Sequence, residues 1–364
     1  MNMNFFPART VALYMARMFV LRTLSVLALL VIILQSLDLL SESSRILANE
    51  GNGQAEIWAY VGMRAPQIIQ TFLPFSVLLG TIVTLATLNQ NSEIIAMKAS
   101  GLSAHQILAP LIACSLGVAV VSFTFNDTIV APASAQLAQW KAVEYARIPR
   151  DSGTRTNIWV RDGNRLVNAQ TVTGKGASIR LTDVTVYERV DANLRSVTRA
   201  ATARFDGGTW QLTDTTFFDL ATGESTKAAT LTLTGTLRPD QFTLANVDPD
   251  ALAFLPLRTA IADLRDAGRP TETIEPYLWH KISGPLSSVL MPLLGAVAAF
   301  GLARSGKLFV RAVAGMALGF TYFVVDNFAL AMGNIGAYPP LLAAWAPFIL
   351  FFLVGETVLV RTEE

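Results

Sequence analysis

Leu88 to Ser103 reads LNQNSEIIAMKASGLS, a polar interruption between two long apolar runs, and how it is read decides the fold. On its N-terminal side, residues 65 to 92 carry no Asp, Glu, Lys or Arg. That is long enough to cross a hydrocarbon core, which needs about 20 apolar residues. On its other side, residues 107 to 125 are uncharged too. The interruption is therefore a membrane-edge hairpin. Its pattern, Ile94, Ile95, Met97 and Leu102 with Glu93 and Lys98 between them, suits one short amphipathic helix. Asn91 or Ser92 can cap the helix, and Gly101 can end it. A half-apolar helix with an acid near its start fits something gripped by another protein. The plainer alternative is a tight loop that merely returns the chain.

Composition agrees with a membrane setting. Of 364 residues, 52% are hydrophobic and 15% charged, against about 25% charged in soluble domains. The mean hydropathy is +0.44. With 28 Lys and Arg against 27 Asp and Glu, the net charge of +1 supplies no basic field for nucleic acid. A single cysteine, Cys114, excludes an intrachain disulfide and a cysteine metal cluster. His105 and His280 lie far apart without ligand spacing and are read as structural, so no metal site is expected. No A-x-A cleavage site follows the first apolar run, which is read as a retained span.

Apolar runs fall at about residues 11 to 34, 65 to 88, 107 to 125, 282 to 303, 312 to 332 and 341 to 359, giving six expected transmembrane helices. Arg9, Arg17 and Arg22 sit at the start of the first. Lys98 lies in the hairpin, Arg304, Lys307 and Arg311 between the fourth and fifth, and Arg361 after the sixth. The positive-inside rule makes these four places cytoplasmic, so both termini are inside and residues 38 to 59, 126 to 277 and 333 to 340 are outside.

The long outside segment changes character. Ile158, Val160, Leu166 and Val167 flank Asp162-Gly163-Asn164, and Phe205, Trp210 and Leu212 flank Asp206-Gly207-Gly208, which is hairpin chemistry. Thr230 to Thr234 alternates strictly. Such strands predict an antiparallel sandwich or jelly roll outside the membrane. Beyond it, Leu257, Ile261 and Leu264 with Arg258, Asp263 and Arg265 predict an amphipathic connector helix, stopped by Gly268-Arg269-Pro270. The expected division is 1–131 for three spans and the hairpin, 132–253 for the jelly-roll-like domain, 254–275 for the connector, and 276–364 for three more spans.

Several motifs carry an ordinary reading beside a functional one. Gly301 to Lys307 has P-loop spacing, but Leu308 stands where Ser or Thr must bind magnesium, and no buried strand precedes it. No Ser-His-Asp set, H-E-x-x-H or paired acids occur in a plausible context, so no catalytic residue is expected. Gly315 and Gly319 make a small-xxx-small face for packing within the chain or with a partner. Asp326, beside Asn327, is an acid in the outer part of the fifth span, equally a functional group or a cap-like structural one. Asp38, Glu42 and Arg45 read as solvated loop residues, and Pro66 and Pro74 as kinks in the second span.

The chain resembles, nearly end to end, the LptF/LptG family of lipopolysaccharide export permeases, the LptG branch more than the LptF branch. The residues that carry the resemblance are Phe72-Leu-Pro74 leading to Leu78-Leu79-Gly80, then Ser92-Glu93-Ile94-Ile95-Ala96-Met97-Lys98-Ala99-Ser100-Gly101. Trp279-His280-Lys281-Ile282 with Pro285-Leu286 follows at the fourth span, and Leu37-Asp38 and Val325-Asp326-Asn327 favour the LptG branch. The resemblance implies a permease of the bacterial inner membrane, paired with an LptF-type permease and driven by an LptB-type ATPase dimer. Periplasmic jelly rolls would start a bridge through LptC-type and LptA-type proteins. ATP and magnesium would be held by the ATPase, with no cofactor on this chain. It also implies a lipid cavity between the permeases, reached beside the first and fifth spans.

On that basis Ser92, Glu93, Ile94, Met97, Lys98 and Gly101 are expected to couple to the ATPase, and Gln35, Asp38, Arg45, Asp326 and Phe328 to border the lipid gate. One departure stands out. Some family members place lysines at the outer end of the first span, where this chain reads Leu34-Gln35-Ser36-Leu37-Asp38-Leu39-Leu40, with Arg45 the nearest cation. The positive charge then comes from the partner subunit, or from Arg45 on an extended helix, or the lipid headgroup differs in charge. A membrane-anchored sensor or scaffold would leave six spans and the hairpin unexplained. A lipoprotein-release or efflux permease would have four spans, with its external domain after the first.

Overall fold

Uncharged runs of this length become helices because a backbone in lipid must satisfy its own hydrogen bonds. A computed structural model describes residues 7–146, 155–174, 179–190, 193–206, 208–220, 222–233, 237–239, 242, 248–266, 269–300 and 308–361. The chain divides into two units: residues 1–146, 249–265 and 269–364 form one, and residues 147–248 and 266–268 the other.

In the first unit, α1 (Arg9–Leu47) and α2 (Gln54–Gln90) lead into the short α3 (Glu93–Ala99) and then α4 (Ala104–Phe125). A π-helical turn at Asn126–Val130 joins α4 to α5 (Ala131–Ala142). After the second unit come α6 (Phe254–Asp266), α7 (Glu275–Phe300), α8 (Leu308–Asn334) and α9 (Pro340–Arg361). Among the described residues five helical stretches are long and apolar enough to cross a membrane: Arg9–Leu47, Gln54–Gln90, Ala104–Ala142, Val313–Asn334 and Pro340–Arg361. The fourth expected run falls on α7 and on residues 301–303, which lie outside the described residues, as does the P-loop-like stretch 301–307.

α7 touches α2, α4, α8 and α9, so the bundle is gathered around it. Its small hydroxyl residues Ser283, Ser287 and Ser288 are buried, which suits close helix packing in lipid. Close approach recurs elsewhere. A Cβ on Gly80 of α2 would stand 2.9 Å from Thr23 Cα and 3.0 Å from Thr23 N in α1. A Cβ on Gly319 of α8 would collide with the Leu78 side chain of α2. Gly315, one turn earlier, is buried as well, and at Gly319 the small-xxx-small face packs on Leu78 within the chain. Thr23 meets Gly80 with backbone atoms that cannot swing away. Gly80→Val is therefore expected to cost about 1–3 kcal/mol through overpacking, measurable as an earlier aggregation temperature in detergent. An unchanged temperature would mean that α1 and α2 separate freely there.

α1 has 39 residues, roughly 58 Å at 1.5 Å per residue, against a hydrocarbon core of about 30 Å. Asp38, Glu42 and Arg45, read above as loop residues, are thus helical. α5 likewise continues where the β-domain was expected to begin at residue 132, and Pro132 falls in its first turn, where a missing N–H costs nothing. The connector helix forms as expected, with Leu257, Ile261 and Leu264 inward. Its first N–H, on Phe254, donates to Asp127 Oδ1 at 2.9 Å, a cap supplied from the π-helical turn.

The second unit is one six-stranded antiparallel sheet in sequence order: β1 (Arg155–Asp162), β2 (Arg165–Thr173), β3 (Arg180–Val190), β4 (Asn193–Asp206), β5 (Thr209–Asp219) and β6 (Ser225–Leu233). The antiparallel expectation holds. The described strands do not form two sheets or Greek-key crossings, because each short hairpin pairs a strand with its sequence neighbour. Asp162 pairs with Arg165 across Gly163, whose φ is +58°. Residues two apart point inward, as the pleat requires: Ile158 and Val160, Val167 and Ala169, Val184 and Val186, Trp210 and Leu212. Trp210 is 2% exposed, meets Phe205 and Phe242 edge-on, and donates from Nε1 to the Leu237 carbonyl at 2.9 Å. β6 is an edge strand exposed on both faces from Ser225 to Thr232, so its alternation does not mark a buried face.

Candidate functional site

The hairpin helix forms as the pattern dictates, but its start differs from the expectation. Ser92 occupies the N-cap position with φ +60° and makes no side-chain cap. Asn91 instead donates from Nδ2 to Glu93 Oε1 at 3.1 Å. A left-handed Ser92 turns the chain sharply out of α2, which takes its hydroxyl away from the orphan N–H groups. The C-terminal end matches the expectation. Gly101 has φ +89°, its N–H bonds to Lys98 O at 3.0 Å, and Leu102 N–H bonds to Met97 O at 3.2 Å, the Schellman pattern.

Burial sorts the expected coupling residues. Ile94 is 5% exposed and joins the bundle core with Met15 and Phe19 of α1, so it anchors the helix and is not open to a partner. Met97 and Leu102 pack against the same core. The outward apolar residue is Ile95, 63% exposed, which periodicity could not separate from its neighbour over a seven-residue helix. Glu93 is half-buried and Lys98 exposed. Tyr14 of α1 donates to Glu93 Oε1 at 3.3 Å, a contact no local pattern signals. Close by, His105 Nε2 and Glu356 Oε2 lie 3.2 Å apart, joining the start of α4 to the end of α9.

The expected gate residues scatter. Gln35 is buried, and neither side-chain amide atom has a hydrogen-bond partner, so it does not face lipid. Asp38 is engaged: Tyr60 donates to its Oδ2 at 2.6 Å, and Arg64 reaches its Oδ1 at 3.3 Å from both Nε and Nη2. One turn on, Glu42 accepts from the Tyr145 hydroxyl at 2.8 Å and lies 3.7 Å from Lys141 Nζ. Burial, and then donation to Glu42, push the Tyr145 phenol above its ordinary value. Tyr145 and Glu144 both have positive φ, and their carbonyls accept from the Asn52 and Asn49 side chains at 2.9 and 2.6 Å, which pins the turn. These groups brace the C-terminal end of α1 and the N-terminal end of α2 against α5, around Ile46, Tyr60, Leu137 and Trp140. Arg45 only flanks the brace, 74% exposed and 3.8 Å from Glu42. Arg64 was missed because it is the last charge before the uncharged run. Asp38→Ala, which strands Tyr60 and Arg64, is expected to cost about 1–3 kcal/mol. Arg45→Ala should stay within about 1 kcal/mol. Thermal unfolding in detergent checks both, and equal effects would dissolve the distinction.

Asp326 does meet a cavity, of about 500 Å³, lined by Gln70, Asn126, His280, Lys281, Tyr322 and Asp326 among others. Asp326 is 8% exposed, and its Oδ2 lies 3.9 Å from His280 Nε2 across α7 and α8. Asn334 Oδ1 is buried there without a partner. The π-helical turn brings Asn126 to the wall, a local irregularity of a kind frequent at functional sites. Phe328, 56% exposed, faces away from the bundle core.

The family described as "Lipopolysaccharide export system permease LptF/LptG" matches residues 13–361. The Escherichia coli K12 protein named "Lipopolysaccharide export system permease protein LptG" is similar, 29% identical over 309 residues, 83% of this chain and 84% of that one. The Haemophilus influenzae protein of the same name is 26% identical over 322 residues, 86% of this chain and 89% of its own length.

Proposed function

This chain belongs to the LptF/LptG family of lipopolysaccharide export permeases, and from that premise we propose that it is a non-catalytic permease subunit, powered by a separate cytoplasmic ATPase, that takes lipopolysaccharide from the outer leaflet of the inner membrane and passes it to a periplasmic protein bridge. In this reading α7 is the fourth of six spans, the sheet unit stands in the periplasm, and a second, LptF-type permease completes the lipid path. Lipopolysaccharide reaches that path beside α1 and α8.

The observation that carries the reading is the hairpin. α3 anchors Ile94 in the bundle and turns Ile95 and Lys98 outward, with Glu93 at its first turn. A short helix rooted in two long apolar helices, with Ile95 and Lys98 on its free side, suits a groove on an ATPase. The closing experiment is purification of the chain with its natural complement, without crosslinking, followed by reconstitution. A stoichiometric ATPase and ATP-dependent release of lipopolysaccharide are expected. A lone homodimer with no bound ATPase would favour a membrane scaffold and overturn the proposal.

A further inference from the structure

We propose that Tyr14 is a positioning residue for Glu93: it fixes one oxygen of that carboxylate to α1 and leaves the other to a cationic group of the ATPase. The inference rests on the coupling role given to Glu93 above. Glu93 Oε1 accepts from two intrachain donors, Asn91 Nδ2 at 3.1 Å and Tyr14 OH at 3.3 Å. Both converge on the same oxygen, which fixes the plane of the carboxylate. Oε2 accepts no described hydrogen bond and remains available for an Arg or Lys from outside, the arrangement in which a charged pair is strongest.

The anchor behind the hydroxyl is rigid. Met15, next to Tyr14, is fully buried, and Phe19 one turn on is fully buried in the core that also holds Ile94. Deeper along the same pair of helices, Thr23 lies against Gly80, and Arg22 Nη1 donates to the Val83 carbonyl of α2 at 2.9 Å. α1 and α2 are thus clamped together beneath the hairpin, and Tyr14 ties the coupling carboxylate to that clamped pair. A tyrosine at a membrane edge can also serve simply as an interfacial anchor. That ordinary role needs the ring and gives no reason for its effect to depend on Glu93.

The test uses proteoliposomes holding both permeases, with the purified ATPase titrated in and release of lipopolysaccharide measured. Tyr14→Phe keeps the ring and removes the hydroxyl. The half-saturating ATPase concentration is expected to rise about two- to tenfold, the range of one lost hydrogen bond, with the saturating rate unchanged. In a Glu93→Ala background the same substitution is expected to add nothing, since two residues acting through one contact are not additive. A half-saturating concentration equal to wild type, or a Tyr14→Phe effect that persists in full without Glu93, overturns the proposal while leaving the coupling role of Glu93 standing. Glu93→Ala that binds ATPase and releases lipid normally removes that role, and this inference with it.

Discussion

Trp210→Ala is expected to remove about 3–5 kcal/mol from the sheet unit, the usual cost of deleting a fully buried tryptophan. A whole domain is held by only about 5–15 kcal/mol, so one side chain decides whether the unit survives at working temperature. Trp210 earns this expectation by position. It is 2% exposed, packs edge-on with Phe205 and Phe242, and gives its Nε1–H to the Leu237 carbonyl. Trp210→Phe keeps most of the contact and loses the donor, so about 1–2 kcal/mol is expected. Trp159→Ala serves as the control. Trp159 is 44% exposed and stacks on Tyr187, so its loss should cost under about 1.5 kcal/mol. Amide exchange across β1 to β5 in the purified full chain reads all three. Protection lost equally in the Trp159 and Trp210 variants would show that the aromatic cluster does not hold the sheet.

Glu93→Lys is expected to weaken binding of the ATPase by about 2–5 kcal/mol, a loss of roughly 30-fold or more, if the carboxylate forms an interfacial ion pair. Its local helical role is much smaller: an acid in the first turn gains about 0.3–1 kcal/mol from the helix dipole. Glu93→Gln keeps an acceptor for Asn91 and Tyr14 while removing the charge, so it isolates the electrostatic part. Glu93→Lys combined with an acidic replacement of the facing basic residue on the ATPase should restore both co-purification and viability. The idea fails if no basic position in the groove rescues while Glu93→Ala still couples normally, which would leave the dipole as the whole role of this acid.

Charge depletion over residues 65–92 and 107–125 settled by itself that the chain is a membrane protein with a hairpin at Leu88–Ser103. Burying charge in lipid is costly enough that composition alone is decisive. Gly101 marked the end of α3 because a left-handed C-terminal residue is a local requirement. The pairings around Gly163 and Gly208 were equally local, so the hairpins were readable residue by residue. Tertiary structure alone decided the rest. Whether Ile94 or Ile95 faces the core depends on how α3 sits against α2 and α4, and two adjacent isoleucines look alike to a period of 3.6. Asp38 passed for a solvated acid because its partners, Tyr60 and Arg64, stand 22 and 26 residues away on another helix. Tyr14 and Glu93 are 79 residues apart, and the cavity wall draws on α2, α7, α8 and the turn at Asn126. Local chemistry is written along the chain, whereas a partner for a polar side chain is supplied by whichever helix packs beside it.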